Sequence, residues 1–334
     1  MTTLQATSPA DAGDAIQCTP DGRLRHLLSL RSLPRELLFD ILDRAERFLA
    51  DTSEPAVRST TLAGRTIANL FFEPSTRTRA SFELAAKRLS ADVLNLDVST
   101  SSRIKGESIL DTMYTLQAMQ CDVFVVRDAA AGVPRMIAHA VRDGVAILNA
   151  GEASVSHPTQ GLLDLLTIRR ARPDLESLKV CIVGDIAHSR VARSAAEALT
   201  IAGISELRLV APKALQPEAS AFPGATLHSD LASGVAEADV VMALRIQRER
   251  IDDAGDIPDP SDYARRFGLS AANLAPASPN VLVMHPGPMN RGIEIDDATA
   301  DSARSLITEQ VRNGVAVRMA LLEMVTETHL GLRR

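Results

Sequence analysis

The sequence is poor in aromatic residues. Its 334 residues include no tryptophan, only two tyrosines and only eight phenylalanines. Proteins that bind single-stranded nucleic acid stack bases on aromatic side chains, so no such platform is expected. The 36 Lys and Arg against 42 Asp and Glu leave a formal net charge of −6, whereas binding to a phosphate backbone needs a basic surface. Nucleic acid is therefore not expected as a partner.

Long apolar runs and paired cysteines are also missing. The longest strictly apolar run covers residues 240–244, and a membrane-spanning helix needs about 20 residues. The amino terminus has neither a basic start nor an apolar core, which argues against a secretory signal peptide. Cys18, Cys121 and Cys181 form no CxxC pair and no zinc-binding pattern. These absences predict a cytoplasmic protein with no membrane partner and no metal site.

The length indicates about two domains, at roughly 150 residues each. Residues 1–22 contain three aspartates and no Lys or Arg, and we interpret them as a mobile N-terminal arm. A loop with Gly and Ser near residues 150–158 is the expected domain boundary. We predict a first domain over 23–157, completed by a C-terminal helix at about 303–330, and a second domain over 158–302.

From residue 66 onward, apolar strands alternate with amphipathic helices. The predicted strands are 66–72, 93–98, 122–127, 145–148, 178–183, 206–210, 240–244 and 281–284. The predicted helices are 34–49, 75–89, 108–119, 134–141, 158–170, 191–201 and a last one over about 301–324. This alternation predicts the α/β class, with two doubly wound parallel sheets and the last helix packed back on the first domain.

Cationic and hydrogen-bonding residues follow the predicted strands. Ligands of doubly wound sheets bind beyond the carboxyl ends of the strands. The segments at these ends are 73–79, 99–107, 127–128, 157–160, 184–190, 245–248 and 285–291. On an acidic protein, this concentration predicts a small anionic ligand.

The segment that begins at Ser75 gives the most specific indication of an anion-binding site. It opens a predicted helix, where main-chain N–H groups are free and the helix dipole is positive. Ser75 is a good N-cap residue, the hydroxyls of Thr76 and Thr78 add donors, and Arg77 can form a charge-assisted bond to a phosphate or acyl oxygen.

Other features are weaker when taken singly. A solvated turn would explain Lys105, an ordinary loop histidine would explain His157, and a solvated helix face would explain Arg245. Asp185 follows a strand, but the segment lacks GxGxxG, which disfavours a dinucleotide-binding dehydrogenase. No GxSxG motif is present, so serine-nucleophile hydrolysis is disfavoured too.

The segment FFEPSTRTR, residues 71–79, resembles the carbamoyl-phosphate signature of the aspartate and ornithine carbamoyltransferase family. KGES at 105–108, HPTQ at 157–160, RIQ at 245–247 and HPGP at 285–288 follow in the family's order. Glu73 in place of lysine, and Pro286 where the ornithine branch has cysteine, favour the aspartate branch. The match runs from about residue 25 to about residue 324.

The resemblance implies that the carbamoyl group of carbamoyl phosphate is transferred to the α-amine of L-aspartate. The products would be N-carbamoyl-L-aspartate and phosphate, in the committed step of pyrimidine biosynthesis. The resemblance implies no cofactor and no metal. A carbamoyltransferase for another amine, such as ornithine, is an alternative. Arg245 argues against it, because ornithine carries a cation where aspartate carries a carboxylate. A non-catalytic scaffold homologue is the other alternative, disfavoured by the intact motifs.

The resemblance also implies a role for each matched residue. The phosphate would be held by Ser75, Thr76, Arg77 and Thr78. The carbamoyl oxygen would be polarised by Thr78, Arg127 and His157, so the implied catalytic residues are Arg77, Thr78, Arg127 and His157. The carbamoyl group and the amine would be positioned by Gln160 and the main chain of Gly287 and Pro288. The carboxylates of aspartate would be bound by Arg190 and Arg245, assisted by Gln247.

The family forms homotrimers with shared active sites, so the resemblance implies that Ser101 and Lys105 reach the site of a neighbouring subunit. The arm over 1–22 resembles that of extended chains which associate with a dihydroorotase or a dihydroorotase-like subunit. A role in that contact, a role in nucleotide inhibition and a disordered tail all stay open for it.

Overall fold

The computed structural model describes residues 16–49, 55–96, 108–251 and 259–332. The chain divides into two compact units. Unit 1 comprises Met1–Thr159 and Gly314–Arg334, and unit 2 comprises Gln160–Asn313. Within the described stretches, no helix is both long enough and apolar enough to cross a membrane.

The described strands and helices alternate along most of the chain. The strands are β1 (Thr66–Phe71), β2 (Asp92–Leu96), β3 (Val123–Asp128), β4 (Ala146–Glu152), β5 (Lys179–Val183), β6 (Glu206–Val210), β7 (Ala225–His228), β8 (Val240–Ala243) and β9 (Leu282–Met284). The helices are α1 (Arg35–Glu46), α2 (Thr76–Arg88), α3 (Ile109–Ala118), α4 (Val133–Ala140), α5 (Pro158–Ala171), α6 (Arg190–Ala202), α7 (Leu231–Val235), α8 (Pro260–Phe267), α9 (Asp297–Ala300) and α10 (Ile307–Leu332).

Unit 1 contains a four-stranded parallel sheet in the order β2-β1-β3-β4. Its central strand β3 is buried along its whole length, and Phe124 and Val126 pack into a core with Leu116, Ile137 and Ile147. Strands covered on both faces need continuous apolar sequence, which is why they were readily predicted. Unit 2 contains a five-stranded parallel sheet in the order β7-β6-β5-β8-β9. The predicted fold class is confirmed.

The C-terminal part of α10 packs on unit 1, as predicted. Arg44 donates to Glu327 at 2.7 Å and Arg47 donates to Glu323 at 3.1 Å, which ties α10 to α1 and the turn after it. The Arg318 guanidinium lies 5.0 Å from the ring centre of Phe82 on α2. Hydrogen bonds and a cation–π contact therefore join the chain's last helix to its first elements.

The start of the last helix differs from the prediction, and several short elements were not predicted. The last helix begins at Ile307 and not near 301, because Val283 of β9 exchanges hydrogen bonds with Arg304 and Leu306. The edge strand β7 and the short helix α7 escaped prediction, since β7 has four residues and none is fully buried. Helix α8 was also missed, although its Asp259 N-cap accepts from Ser261 and Asp262.

Residues 16–22 fall within the predicted N-terminal arm, and they are packed against unit 1. Gln17 is buried, and its Oε1 accepts hydrogen bonds from the N–H groups of Leu28 and Ser29 at 2.6 and 2.9 Å. The N–H of Arg25 donates to the Gln17 carbonyl at 2.7 Å. This short stretch is therefore fixed by its own polar groups, while residues 1–15 lie outside the described part of the chain.

Each sheet reverses its strand order once. In unit 1 the chain runs from β1 to β2 on one side and to β3 on the other, and in unit 2 it runs from β5 to β6 on one side and to β8 on the other. Loops that leave two neighbouring strands in opposite directions open a crevice at their carboxyl ends. The crevices lie beyond β1 and β3 in unit 1 and beyond β5 and β8 in unit 2.

A buried histidine makes unit 1 sensitive to acid. His26 is fully buried, and its Nδ1 accepts from the N–H of Ile147 at 3.0 Å. Burial lowers the pKa of His26 to about 3, with further contributions from Arg25, His329 and His139. An unfolded histidine has a pKa of about 6.5. Protonation therefore favours the unfolded chain, and stability is lost as the pH falls from about 6.5 towards the folded pKa.

We expect the His26→Asn substitution to flatten this pH dependence, because asparagine keeps an acceptor near Ile147 but does not titrate. In urea unfolding between pH 5 and 6, the wild-type free energy of unfolding should change about 1.4 kcal/mol per pH unit more steeply than that of the variant. The matched control is His228→Asn, at a partly exposed position in unit 2 that does not contribute to the pKa of His26. Equal slopes for wild type and His26→Asn would contradict this account.

Candidate functional site

The first turn of α2 faces the crevice of unit 1. Ser75 occupies the N-cap position with extended backbone, as predicted, but its hydroxyl forms no capping hydrogen bond. The first-turn N–H groups of a helix have no partner within the helix, and together with the dipole they favour an anion. Thr76 and Arg77 are exposed on this turn, whereas Thr78 is buried.

A cleft of about 320 Å³ lies against this turn. It is lined by Phe71, Phe72, Glu73, Pro74, Ser75, Thr76, Arg79, Ala80 and Glu83. A volume of this size suits a small ligand. Ser75 and Thr76 line it as the sequence predicts, and Arg79 is a cation that the prediction left out of the site. Its position one turn beyond Ser75 was the available signal, because residues three or four apart share a helix face.

Arg127 is held at the carboxyl end of β3. Its guanidinium is buried, donates through Nη2 to Glu73 Oε1 at 2.9 Å, and donates through Nη1 to the Ala150 carbonyl at 3.3 Å. Arg127 pairs in register with Phe71, so the loop after β1 starts beside it. From the sequence, Glu73 served only to distinguish two branches of a family. In the structure its carboxylate is the counter-charge that holds the Arg127 guanidinium.

His157 lies directly before α5 and is buried. Its Nδ1 is 3.5 Å from Thr159 Oγ1, which in turn accepts from Arg318 at 3.4 Å. In unit 1 the structure therefore places the predicted residues Ser75, Thr76, Arg127 and His157 at the carboxyl edge of one sheet. Ser101 and Lys105 lie outside the described residues.

In unit 2 a fully buried carboxylate joins the loops after β5 and β8. Asp185 Oδ1 accepts from the main-chain N–H of His188 at 3.2 Å and lies 2.8 Å from its ring Nδ1. Asp185 Oδ2 accepts from the N–H of Gln247 at 3.0 Å. A buried carboxylate is stable only with such donors. Asp185 was not assigned a role from sequence, because its partner in the second loop is 62 positions away.

The two predicted arginines lie close in sequence to His188 and Gln247, the residues that this carboxylate contacts. Arg190 is the buried first residue of α6, whose N-cap Ser189 accepts from the N–H of Ala192. Arg245 follows β8, two positions before Gln247, and donates to the Ile246 carbonyl at 3.3 Å. Two guanidinium groups on adjacent loops suit a ligand with two carboxylates, since the planar group matches carboxylate geometry.

Gln160, Gly287 and Pro288 also lie in unit 2. Gln160 Nε2 donates to Asp164 Oδ1 at 2.9 Å. The N–H of Gly287 donates to His285 Nδ1 at 2.9 Å, and proline has no N–H. The main chain at Gly287 and Pro288 therefore presents carbonyl acceptors to a ligand. Over the described stretches, no three His, Cys, Asp or Glu side chains are grouped to hold a metal ion.

Comparison with known proteins gives one family for both units. A model described as the carbamoyl-P binding domain of aspartate/ornithine carbamoyltransferase matches residues 25–170. A model described as the Asp/Orn binding domain of the same enzymes matches residues 176–325.

Solved structures from both branches of that family are similar to this chain. Aspartate transcarbamoylase from Trypanosoma cruzi, in complex with carbamoyl aspartate and phosphate, is 31% identical with a TM-score of 0.79, over 92% of this chain and 98% of that one. The same enzyme in complex with N-(phosphonacetyl)-L-aspartic acid is 30% identical with a TM-score of 0.80, over the same shares of 92% and 98%. Ornithine carbamoyltransferase from Pyrococcus furiosus is 27% identical with a TM-score of 0.79, over 91% and 97%.

Gly184 lets the loops after β5 and β8 approach each other. Its φ is +138°, and a Cβ at this position would lie 2.4 Å from the main-chain oxygen of Leu244. A main-chain oxygen cannot swing away as a side chain can. Gly224 also has a positive φ, of +84°, but a Cβ there would meet nothing within 4 Å. The two glycines therefore separate the cost of the backbone conformation from the cost of the collision.

We expect Gly184→Ala to lower the free energy of unfolding by about 3 kcal/mol or more. The control Gly224→Ala should lose only about 1 kcal/mol, the usual cost of a left-handed residue. Urea unfolding of both variants measures the difference. Similar losses in the two variants would show that the close approach at Leu244 is not a constraint.

Proposed function

The chain belongs to the aspartate/ornithine carbamoyltransferase family, and on this premise we propose that its substrates are carbamoyl phosphate and L-aspartate. The products are N-carbamoyl-L-aspartate and phosphate, which places the reaction in pyrimidine biosynthesis. The observation that carries the choice of aspartate is the pair Arg190 and Arg245, on loops that Asp185 ties together. L-Aspartate brings two carboxylates to two guanidinium groups.

Carbamoyl phosphate binds unit 1 in this proposal. Its phosphate takes the main-chain N–H groups at the start of α2, with the hydroxyls of Ser75, Thr76 and Thr78 and the charge of Arg77 as further partners. The match of residues 25–170 to a carbamoyl-P binding domain supports this assignment. So does the cleft beside Ser75 and Thr76, about 320 Å³ in volume, which suits a small phosphate ester.

The proposed chemistry is an acyl transfer through a tetrahedral oxyanion. The amine nitrogen of aspartate forms a bond to the carbamoyl carbon, the bond from that carbon to the phosphate oxygen breaks, and the departing phosphate takes the amine proton. Thr78, Arg127 and His157 donate to the developing oxyanion. Glu73 holds the Arg127 guanidinium in advance, and each such preorganised donor contributes about 2.7–4 kcal/mol in comparable sites.

Ornithine is the competing acceptor, since the family contains both enzymes. Its side chain ends in an ammonium group, which Arg245 would repel, whereas the side-chain carboxylate of aspartate would be attracted. Pro286 and Glu73 also follow the aspartate branch of the resemblance. The positive charge of Arg245, in the loop after β8, is therefore the physical basis for choosing L-aspartate over ornithine.

The test is carbamoyl transfer by the purified chain, with carbamoyl phosphate and either L-aspartate or L-ornithine as acceptor. We expect carbamoyl-aspartate and no citrulline. Citrulline as the main product would contradict the role of Arg245. Formation of no product with either acceptor would contradict the proposed activity.

The variant Arg245→Gln sharpens this test, because glutamine can still form hydrogen bonds but has no charge. Loss of a charge-assisted carboxylate contact should raise the KM for L-aspartate about 10- to 100-fold. The matched control is Arg266→Gln, an exposed arginine of unit 2 that pairs with Asp262 and stacks on Phe267. This control should keep the wild-type KM.

A further inference from the structure

Four buried polar residues of unit 2 form a continuous hydrogen-bonded chain. Gln160 Nε2 donates to Asp164 Oδ1 at 2.9 Å, and Gln310 Nε2 donates to the same oxygen at 2.8 Å. The Gln310 Oε1 accepts from the main-chain N–H of His285 at 2.9 Å. Gln160 and Asp164 are one turn apart on α5, whereas Gln310 comes from α10, so the chain links three separate segments.

The chemistry of Asp164 fixes the orientation of both glutamines. An ionised carboxylate only accepts hydrogen bonds, so each glutamine must turn its nitrogen towards it. Gln310 satisfies both of its neighbours in this orientation, because its oxygen then meets the His285 N–H. Turning either amide over would place an amide oxygen against the carboxylate oxygen.

Burial makes that reversal costly. Asp164 is 1% exposed and Gln310 is 2% exposed, so water cannot replace a lost partner. The side-chain oxygen of Gln160 ends this series of hydrogen bonds and is available to a ligand, since no described residue donates a hydrogen bond to it. A group that contacts Gln160 therefore meets an acceptor and not a donor.

We propose that Asp164, held by Gln310, is a positioning residue that makes Gln160 select the amide of the carbamoyl group. This inference rests on the proposed function, in which Gln160 positions that group. The NH₂ of carbamoyl phosphate is a donor and matches the Gln160 oxygen. An acetyl group has a methyl in the same place and offers no donor.

The same chain reaches the segment at Gly287. The main-chain N–H of His285 is fixed by Gln310, and the ring of His285 accepts from the N–H of Gly287. Gln310 therefore fixes the carbonyl groups at Gly287 and Pro288 together with the orientation of Gln160. The buried side-chain amide of Gln310 thus holds both Gln160 and the segment at Gly287 and Pro288, which are proposed to position the reacting groups.

The test compares two inert analogues of carbamoyl phosphate, phosphonoacetamide and (2-oxopropyl)phosphonate. They differ only in the NH₂ or CH₃ group beside the carbonyl. Their dissociation constants from the full chain are measured by isothermal titration calorimetry, which needs no turnover. The wild type should bind the amide about tenfold more tightly, which is the effect of one hydrogen bond.

Two variants should reduce this preference. Asp164→Asn keeps the shape of the side chain but can pair with Gln160 in either orientation, so the preference should fall to about twofold or less. Gln310→Met removes the hydrogen bond from Gln310 to Asp164 and should lower the preference about threefold.

The matched control lies one turn further along the same two helices. Thr167 Oγ1 donates to the Leu163 carbonyl at 2.7 Å and accepts from Asn313 on α10 at 2.9 Å. Thr167→Val removes this contact without touching Gln160, and it should keep the wild-type ratio of dissociation constants. A general loosening of α5 against α10 would instead lower the ratio in all three variants.

A wild-type ratio near one, an unchanged ratio in both Asp164→Asn and Gln310→Met, or an equal fall in Thr167→Val would each overturn the inference. The measurement reports binding alone. Carbamoyl transfer by the wild type, measured separately, therefore distinguishes a failure of this inference from a failure of the proposed function.

Discussion

Asp185 is fully buried, and the loops after β5 and β8 are joined by the donors that surround this carboxylate. A buried carboxylate without partners costs several kcal/mol. The loops after β5 and β8 supply those partners, so their geometry is set by the need to satisfy one charge. Arg190 lies two positions after His188, and Arg245 lies two positions before Gln247, so both arginines flank the residues that Asp185 contacts.

Unit 1 also has a carboxylate that holds another polar group in place, and here that group is a cation. Glu73 pairs with the buried Arg127, and the Ala150 carbonyl takes a second guanidinium donor. The cation is thereby oriented before any ligand arrives, which is what electrostatic stabilisation of an oxyanion requires. In unit 2, Asp164 orients two neutral amides by the same rule. Carboxylates thus hold Arg127 and Gln160, two of the groups proposed to meet the substrates.

Much of this fold could be predicted from sequence, because the central strands are buried on both faces and are continuous apolar runs. The edge strand β7 was missed for the opposite reason: it has four residues and none is fully buried. The predicted positions of Ser75, Arg127, His157, Arg190 and Arg245 came from motifs at strand ends. The residues that orient Gln160 could not be predicted, since Asp164 and Gln310 are 146 positions apart and local patterns carry no such pairing.

Hydrogen–deuterium exchange tests most directly the central claim that these loops bind the substrates. The chain is compared alone, with carbamoyl phosphate, and with carbamoyl phosphate plus succinate, a dicarboxylate that lacks the reacting amine. The account predicts that carbamoyl phosphate slows exchange in residues 74–79, and that succinate adds protection in residues 184–190 and 244–247. Unchanged exchange in these segments, with protection elsewhere, would contradict it.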